Sequence, residues 1–281
     1  KERTLAAYLS AKKLLTEKIQ IQAGLRYEHT WTESNQLTQR QISRSHYGRF
    51  YPTLHLNWQL KDNQNLALAA NWGIERPNFN DLNPFRIYTS TTDYMTGNPY
   101  LAAAYTCNVE INYSNGKGLY AVLYNNYGKG ETGWRTQFLE NGSQVTGPYD
   151  GLRHEKTGFY ANYNRNVLTW LNLNIGGEVY YYDSHSDYRT DVLQVHGWGK
   201  RAEGSLSFML NHQKTLIAEV NYRHWFREYF AQTQSDSHAY LRMSLKYSCL
   251  NDRLKISLTI GDPFHQNINR NTIFYKDYTN T

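Results

Sequence analysis

Two cysteines, three methionines and six prolines are all that 281 residues hold of these types. Cys107 and Cys249 lie far apart, so no disulfide framework and no CxxC or Cys/His zinc spacing is available. The two thiols read as small buried or lipid-facing side chains, and their pairing stays open. No run of about 18 apolar residues exists, which excludes a transmembrane helix. The mean hydropathy of −0.73 resembles that of a water-soluble protein. It does not exclude membrane strands, because a strand with one face on lipid and the other on a wet lumen averages out. No basic run accompanies the net charge of +6. Lys and Arg are scattered, without an RNA-binding or zinc-finger signature, so no nucleic-acid partner is expected. The basic balance reads first as solvated surface and second as attraction to an anionic glycolipid or acidic ligand. The chain begins at Lys1 without a signal peptide, so a processed or excised chain is expected.

What the sequence has in quantity is aromatic residues and alternation. Ile19, Ile21, Ala23, Leu25 and Tyr27 are separated by Gln20, Gln22, Gly24 and Arg26. Leu54, Leu56, Trp58 and Leu60 alternate with His55, Asn57 and Gln59. The same period recurs at 66–74, 109–113, 206–210, 241–247 and 254–260. Successive strand residues point to opposite faces, so each run has one apolar face. The template yields about twelve strands.

The connections carry more information. Short polar turns are expected near 16–18, 61–65, 115–118, 166–168, 212–214 and 251–253, and longer loops near 32–44, 76–101, 128–152, 184–194 and 229–237. Short and long alternate. In an up-and-down barrel every second connection lies at the same rim, which gives one rim of tight turns and one of extended loops. Aromatic rings gather at strand ends: Trp31, Tyr181, Trp225, Phe226 and Tyr229 toward the long loops, Trp58, Trp170 and Tyr247 toward the turns. Interfacial girdles place amphipathic rings there. The fold expected is an all-β, antiparallel up-and-down transmembrane barrel, partial in this chain.

Catalytic patterns are missing. The ten histidines form no HExxH and read as solvated or lumen-lining. No serine sits in a GxSxG elbow. Gly116-Lys117-Gly118 reads as a turn, since no helix pattern follows it. Glu131, Glu140, Asp150 and Glu155 match no calcium loop and read as solvated. No enzyme activity, cofactor or metal is expected.

The most specific segment lies between two alternating runs. Arg76-Pro77 is followed by Leu82-Asn83-Pro84-Phe85 and by Gly97-Asn98-Pro99-Tyr100-Leu101. Pro77 stops the preceding ladder because it has no N–H to donate. The Asn-Pro pairs initiate turns, and Gly97 is expected to supply a positive φ. This segment resembles the C-terminal barrel of TonB-dependent receptors from Bacteroidetes-type bacteria, where Arg-Pro, Leu-Asn-Pro-Phe and Gly-Asn-Pro-x-Leu recur in this order. Arg26-Tyr27-Glu28 and Phe50-Tyr51-Pro52-Thr53-Leu54 are similar to upstream features of that family, and Gly261-Asp262-Pro263-Phe264 to a near-terminal one.

The resemblance implies residence in the bacterial outer membrane, contact with its lipid, capture of an external ligand and import coupled to the TonB complex. The family couples through an N-terminal plug and a TonB box, and neither is visible in this sequence. About twelve strands fall short of the roughly 22 of a plugged transporter. The whole of 1–281 therefore reads as one barrel segment of a larger receptor, or alternatively as a degenerate or truncated homologue. Its ligand, such as a sugar or siderophore, is expected at the long-loop rim, on Tyr88, Tyr94, Trp134, Tyr149 and Tyr188. The alternatives are a passive porin-like or structural barrel and a soluble all-β carbohydrate-binding module.

Overall fold

A computed structural model describes residues 2–36, 41–188, 191–230, 233–251, 253–274 and 279–280. Among them no helix occurs. The strands are β1 (Glu2–Thr16), β2 (Ile19–Gln36), β3 (Gln41–Lys61), β4 (Gln64–Glu75), β5 (Ile87–Tyr88), β6 (Tyr94–Met95), β7 (Ala104–Ser114), β8 (Leu119–Phe138), β9 (Gln144–Leu168), β10 (Leu171–Tyr188), β11 (Asp191–Met209), β12 (Leu216–Trp225), β13 (Glu228–Phe230), β14 (Thr233–Ser235), β15 (His238–Cys249), β16 (Leu254–Gly261), β17 (Asn271–Phe274) and β18 (Thr279–Asn280). Twelve long strands follow one another in the order β1-β2-β3-β4-β7-β8-β9-β10-β11-β12-β15-β16. Each pairs antiparallel with its neighbours, so the wall is an up-and-down meander. It is an open sheet, with β1 and β16 at its edges.

The register sorts side chains into two faces. On β10 the even positions Asn172, Asn174, Glu178, Tyr180, Tyr182 and Ser184 face one way, with Tyr180, Tyr182, Ser184 and Ser186 buried. The odd positions Leu171, Leu173, Ile175, Val179 and Tyr181 face the other way, and Ile175 is 55% exposed. Their cross-strand neighbours continue the apolar face: Phe208 and Leu206 on β11, Tyr163 and Phe159 on β9. Val220, Leu245 and Leu258 align in the same band. A continuous exposed apolar belt of this extent needs a hydrophobic solvent. The opposite face is polar. Asn126, Asn108 and Asn71 hand hydrogen bonds across three strands at 2.8 and 3.3 Å. Glu178 sits between Lys156 at 3.0 Å and Arg201 at 2.9 Å and accepts from the Tyr124 hydroxyl.

The belt ends where alternation loses its apolar half. Above Tyr181 the outward residues of β10 become Asp183 and His185. About 9–11 strand residues cross a bilayer, so more than half of the 25 residues of β9 stand outside the lipid. This corrects the expected loops at 32–44, 128–152 and 184–194, which are largely strand. Polar alternation still pairs backbone, but it has no hydrophobic signature. The turn expected at 166–168 lies at 169–170, because β9 runs to Leu168. At Asn115 the expected turn forms. Its Oδ1 accepts from Lys117 N at 2.8 Å and Leu119 N at 3.0 Å, and Gly116 and Gly118 take φ of 61° and 104°.

The girdles are in part as expected. Trp170 stacks on Phe208 at 6.3 Å near the turns, and Tyr181 meets Trp198 edge-on at 5.4 Å below the long strands. Trp225 and Tyr229 are corrections. Trp225 pairs with lumen-facing Arg201 and stacks on His238 at 4.7 Å, while the Tyr229 ring covers Gly197 on the inner face. Cys107 and Cys249 are free thiols.

Replacing Ile175 by Arg, in the middle of the apolar band, is expected to cost about 2–4 kcal/mol, against about 0–1 kcal/mol for Asp183→Arg. Denaturant unfolding of the protein folded into lipid vesicles measures both. Equal costs would remove the lipid belt.

Candidate functional site at the loop rim

The β3–β4 ladder ends at Thr53↔Asn71, the residue beyond Pro52, which has no N–H to give. Above that point, among the described residues, β3 pairs with β2 alone and β4 with β7 alone. Two cations tie the seam. Arg49 lies over the Tyr105 ring at 3.6 Å. Arg76, the first residue after β4, reaches past β3 to Glu28 at 2.7 Å and Thr30 at 3.2 Å on β2. Glu28 is 5% exposed and is also paired by Arg26. A carboxylate this buried is sustained only by such charged donors.

Pro77 ends β4, and the chain folds on itself. Asn78, Asn83 and Asn98 each accept a backbone N–H two residues on, at 3.2, 3.3 and 3.0 Å. These Asx turns fix the two Asn-Pro corners, with Pro84 and Pro99 supplying rigid φ. The two halves of the motif meet: Gly97 N donates to Asn83 O at 2.9 Å, and Asn98 N to Asp81 O at 2.6 Å. Gly97 does not take a positive φ, which corrects the expectation. Its lack of a side chain serves close approach instead, since a Cβ there would meet the carbonyl oxygens of Asn83 and Asp81. Leu82 is half-buried beneath this clasp, Leu101 is buried, and Phe85 stands 70% exposed.

The clasped loop reaches to β9. β6 adds to β9 in parallel, Tyr94↔Val145 and Met95↔Thr146. It takes the edge that β10 leaves beyond Ser186↔Leu152. Asp93 Oδ1 accepts from Gln144 N at 2.9 Å, and the Ser90 hydroxyl oxygen accepts from Asp93 N at 3.0 Å and Thr92 N at 3.2 Å; Asp150 accepts from Ala102 N at 3.0 Å. The Gln144 N–H and the Ser90 hydroxyl hold the Asp93 carboxyl below its ordinary value.

The five ring candidates are not one cluster. Tyr88 and Tyr94 pack together at 5.6 Å, with Arg86 at 4.7 Å over the Tyr94 ring. Tyr88 is 60% exposed. Tyr149 is 3% exposed, its ring against Gly133, and burial pushes its phenol above the ordinary value. It supports the hairpin from the lumen face rather than offering an open ring. Trp134 pairs with Pro148, one position on, and so projects from the opposite face of the hairpin, 49% exposed. Tyr188 ends β10, and its side chain lies outside the described residues. The four acidic residues expected to be solvated also lie apart, and of these Glu140 stands exposed in the turn after β8. Glu131 holds His154 at 2.5 Å, Asp150 caps the loop, and Glu155 accepts from Asn125 on the outer face at 2.8 Å. Among the described residues no three His, Cys, Asp or Glu come together to hold a metal ion.

Sequence reasoning missed Glu28 as the partner of Arg76, and Arg86 and Asp93. Forty-eight residues separate the first pair, so no local pattern announces it. A second inward segment was also missed in its role. β13 and β14 form a hairpin whose Tyr229 ring covers Gly197 and whose Phe230 ring lies 6.3 Å from Tyr182, so it packs on the inner face of β10 and β11.

A family model described as the outer membrane protein beta-barrel family matches residues 1–281. No curated protein matches the chain. Among solved structures, the copper transporter OprC is similar with TM-score 0.69 and 11% identity, over 98% of this chain and 43% of that one. The siderophore receptor PirA from Pseudomonas aeruginosa gives 0.61 and 12%, over 94% and 53%. The ferric yersiniabactin uptake receptor FyuA from Yersinia pestis gives 0.62 and 17%, over 94% and 40%. The chain spans about half or less of the length of these structures, and at such identities the likeness concerns the fold.

The Asp93 contact carries a sign. A carboxyl held below its ordinary value stabilises the docked loop above that value and ceases to do so as pH falls through the folded one. Protease cleavage within 86–96 is therefore expected to be constant from neutral pH down to about 5 and to rise below about 4. Asp93→Asn, cleaved alike at all these values, is the comparison. An acid rise of equal size in Asp93→Asn would contradict the assignment.

Proposed function

The chain belongs to the outer membrane protein β-barrel family, and from that premise we propose that it is the barrel portion of a TonB-dependent receptor of the bacterial outer membrane. Such a receptor captures an external ligand and imports it. The observation that carries this reading is the mouth. The 76–101 loop pairs with the free edge of β9, and the β13–β14 hairpin packs on the inner face of β10 and β11, beside a polar wall hydrogen-bonded from strand to strand. That wall offers donors and acceptors to a polar plug domain, through which the TonB complex would act. In lipid the edges β1 and β16 cannot stay unpaired, so further strands complete the wall.

The ligand is met first by Tyr88, Tyr94 and Arg86 on the exposed loop, which suit a ring-bearing or anionic compound such as a sugar or siderophore. Trp134 would contact it only from the other face of the hairpin. Replacing Tyr88 and Tyr94 together by Ala in the full-length receptor is expected to lower uptake about tenfold, since each stacked ring contributes about 0.5–1.5 kcal/mol. The amount of protein in the outer membrane should not change. Unchanged uptake would remove these rings from the binding site.

The passive-barrel alternative makes the opposite prediction about energy. Cells carrying the full-length protein should stop accumulating ligand when a protonophore collapses the inner-membrane gradient. Accumulation that proceeds undiminished would show a passive barrel.

A further inference from the structure

The inner wall of β11, β12 and β15 carries a cavity of about 290 Å³, bounded by Glu203, Asn221, Arg223, Trp225, Tyr240 and Arg242. That volume is at the small end of small-molecule sites. Two register rows build it. Glu203, Arg223 and Tyr240 form one, and Ser205, Asn221 and Arg242 form the next toward the turns. Glu178 pairs with Arg201, so these odd positions of β11 continue the inward face of β10. Asn221 to Trp225 is the external half of β12. The chain leaves the wall there, with Phe226 N donating to Lys200 O at 3.0 Å, and turns into β13. The cavity therefore lies on the side of the wall that a compound entering from outside reaches first.

Three observations give the cavity a chemistry. First, its charge balance is uneven at one residue. Glu203 pairs with Arg223 at 2.9 Å and accepts from the Tyr160 hydroxyl at 3.2 Å, Glu219 pairs with Lys246 at 2.7 Å, and Glu178 with Arg201 at 2.9 Å. Of the inward Arg and Lys on these three strands, Arg242 alone has no carboxylate partner among the described residues; its register partners are Asn221 and Gly261. Second, Asn221 Nδ2 is buried without a hydrogen-bond partner. A buried donor left unmet is costly, and this one stands beside the unmatched guanidinium. Third, rings border the same space. Trp225 stacks on His238 at 4.7 Å, with Arg223 5.5 Å from its ring, and Tyr240 borders the row of Glu203. One unmatched positive charge suits a monoanion, since a dianion would also meet the Glu203 carboxylate. The planar guanidinium fork fits the two oxygens of a carboxylate.

We infer that this cavity binds a small aromatic carboxylate. The carboxylate accepts from Arg242 and from Asn221 Nδ2, and the ring lies against Trp225 and Tyr240. As a chemical class for the imported compound the inference rests on the import reading; as a binding site it does not.

Fluorine NMR of the full-length receptor in detergent micelles tests the site, with fluorobenzoate as the probe and fluorobenzamide as its neutral comparison. Wild type should bind the carboxylate about tenfold more tightly than the amide. Arg242→Gln should lose about tenfold in affinity for fluorobenzoate and leave the amide unchanged, while Arg242→Lys keeps part of the preference. Lys255→Gln, which removes the same charge from β16, should change neither. Equal binding of the two probes, or equal losses in Arg242→Gln and Lys255→Gln, would overturn the site. Failure of wild type to bind fluorobenzoate would overturn the ligand assignment; a lowered Tm of Arg242→Gln in that case would place a carboxylate of the receptor itself on Arg242. Heat-modifiable electrophoretic mobility reports folding. Should Arg242→Gln not fold, Asn221→Asp, which adds a repelling carboxylate to the same row, must lower fluorobenzoate binding; if it does not, the assignment fails. Uptake that ignores a protonophore would contradict import and leave these binding results as they are, so the two failures are separate.

Discussion

Lipid hydrocarbon offers no partner to a backbone N–H or C=O, and this constraint governs the molecule. Every strand crossing it must pair along its length and must sort its side chains by the pleat. On β10 the result is Leu171, Leu173, Ile175 and Val179 on one face and Asn172, Asn174 and Glu178 on the other. The inward polar groups cannot be left alone either. They hydrogen-bond across strands, as Asn71, Asn108 and Asn126 do, or pair charges, as Lys156, Glu178 and Arg201 do. A wall built this way is stiff and wet on the inside and apolar on the outside.

Above the lipid the constraint relaxes, and the chain can do other things. Pro52 ends one ladder and opens a seam between β3 and β4. The seam is then spanned by Arg76 and Arg49 instead of by backbone. The freed edge of β9 receives β6 in parallel, the one parallel pairing among the described residues. The 76–101 motif is the means. Its asparagine turns and its clasp at Gly97 shape a loop that reaches the edge of β9 and still returns to β7. The external surface and the mouth are thus products of one event, the point at which strands stop being obliged to pair with both neighbours.

Much of this was legible in the sequence. Alternation showed the twelve strands, because lipid on one side and water on the other write a period of two into each. The spacing of turns showed two rims. What stayed hidden has physical reasons. Asp183, His185 and their neighbours are strand, but the outward residues there are polar and the inward Ser184 and Ser186 are buried polar groups, so no apolar alternation marks them. The Arg76–Glu28 pair joins residues 48 apart. Gly97 was legible as a constraint but not as to its kind, since crowding by Asn83 and Asp81 exists only in the folded loop. Tyr149 and Trp134 looked equivalent as exposed rings, and one step of register sent them to opposite faces.

The central claim is that the odd positions of β10 face lipid up to Tyr181 while the even positions face water. Single nitroxide labels placed along 172–185, in protein with Cys107 and Cys249 replaced and folded into vesicles, measure it through collisions with oxygen and with a water-soluble nickel chelate. Labels at 173, 175 and 179 should collide with oxygen and not with nickel, labels at 174 and 178 the reverse, and nickel access should rise on the outer face at 183 and 185. Equal nickel access at 175 and 174, or no change between 179 and 183, would contradict a membrane-spanning wall.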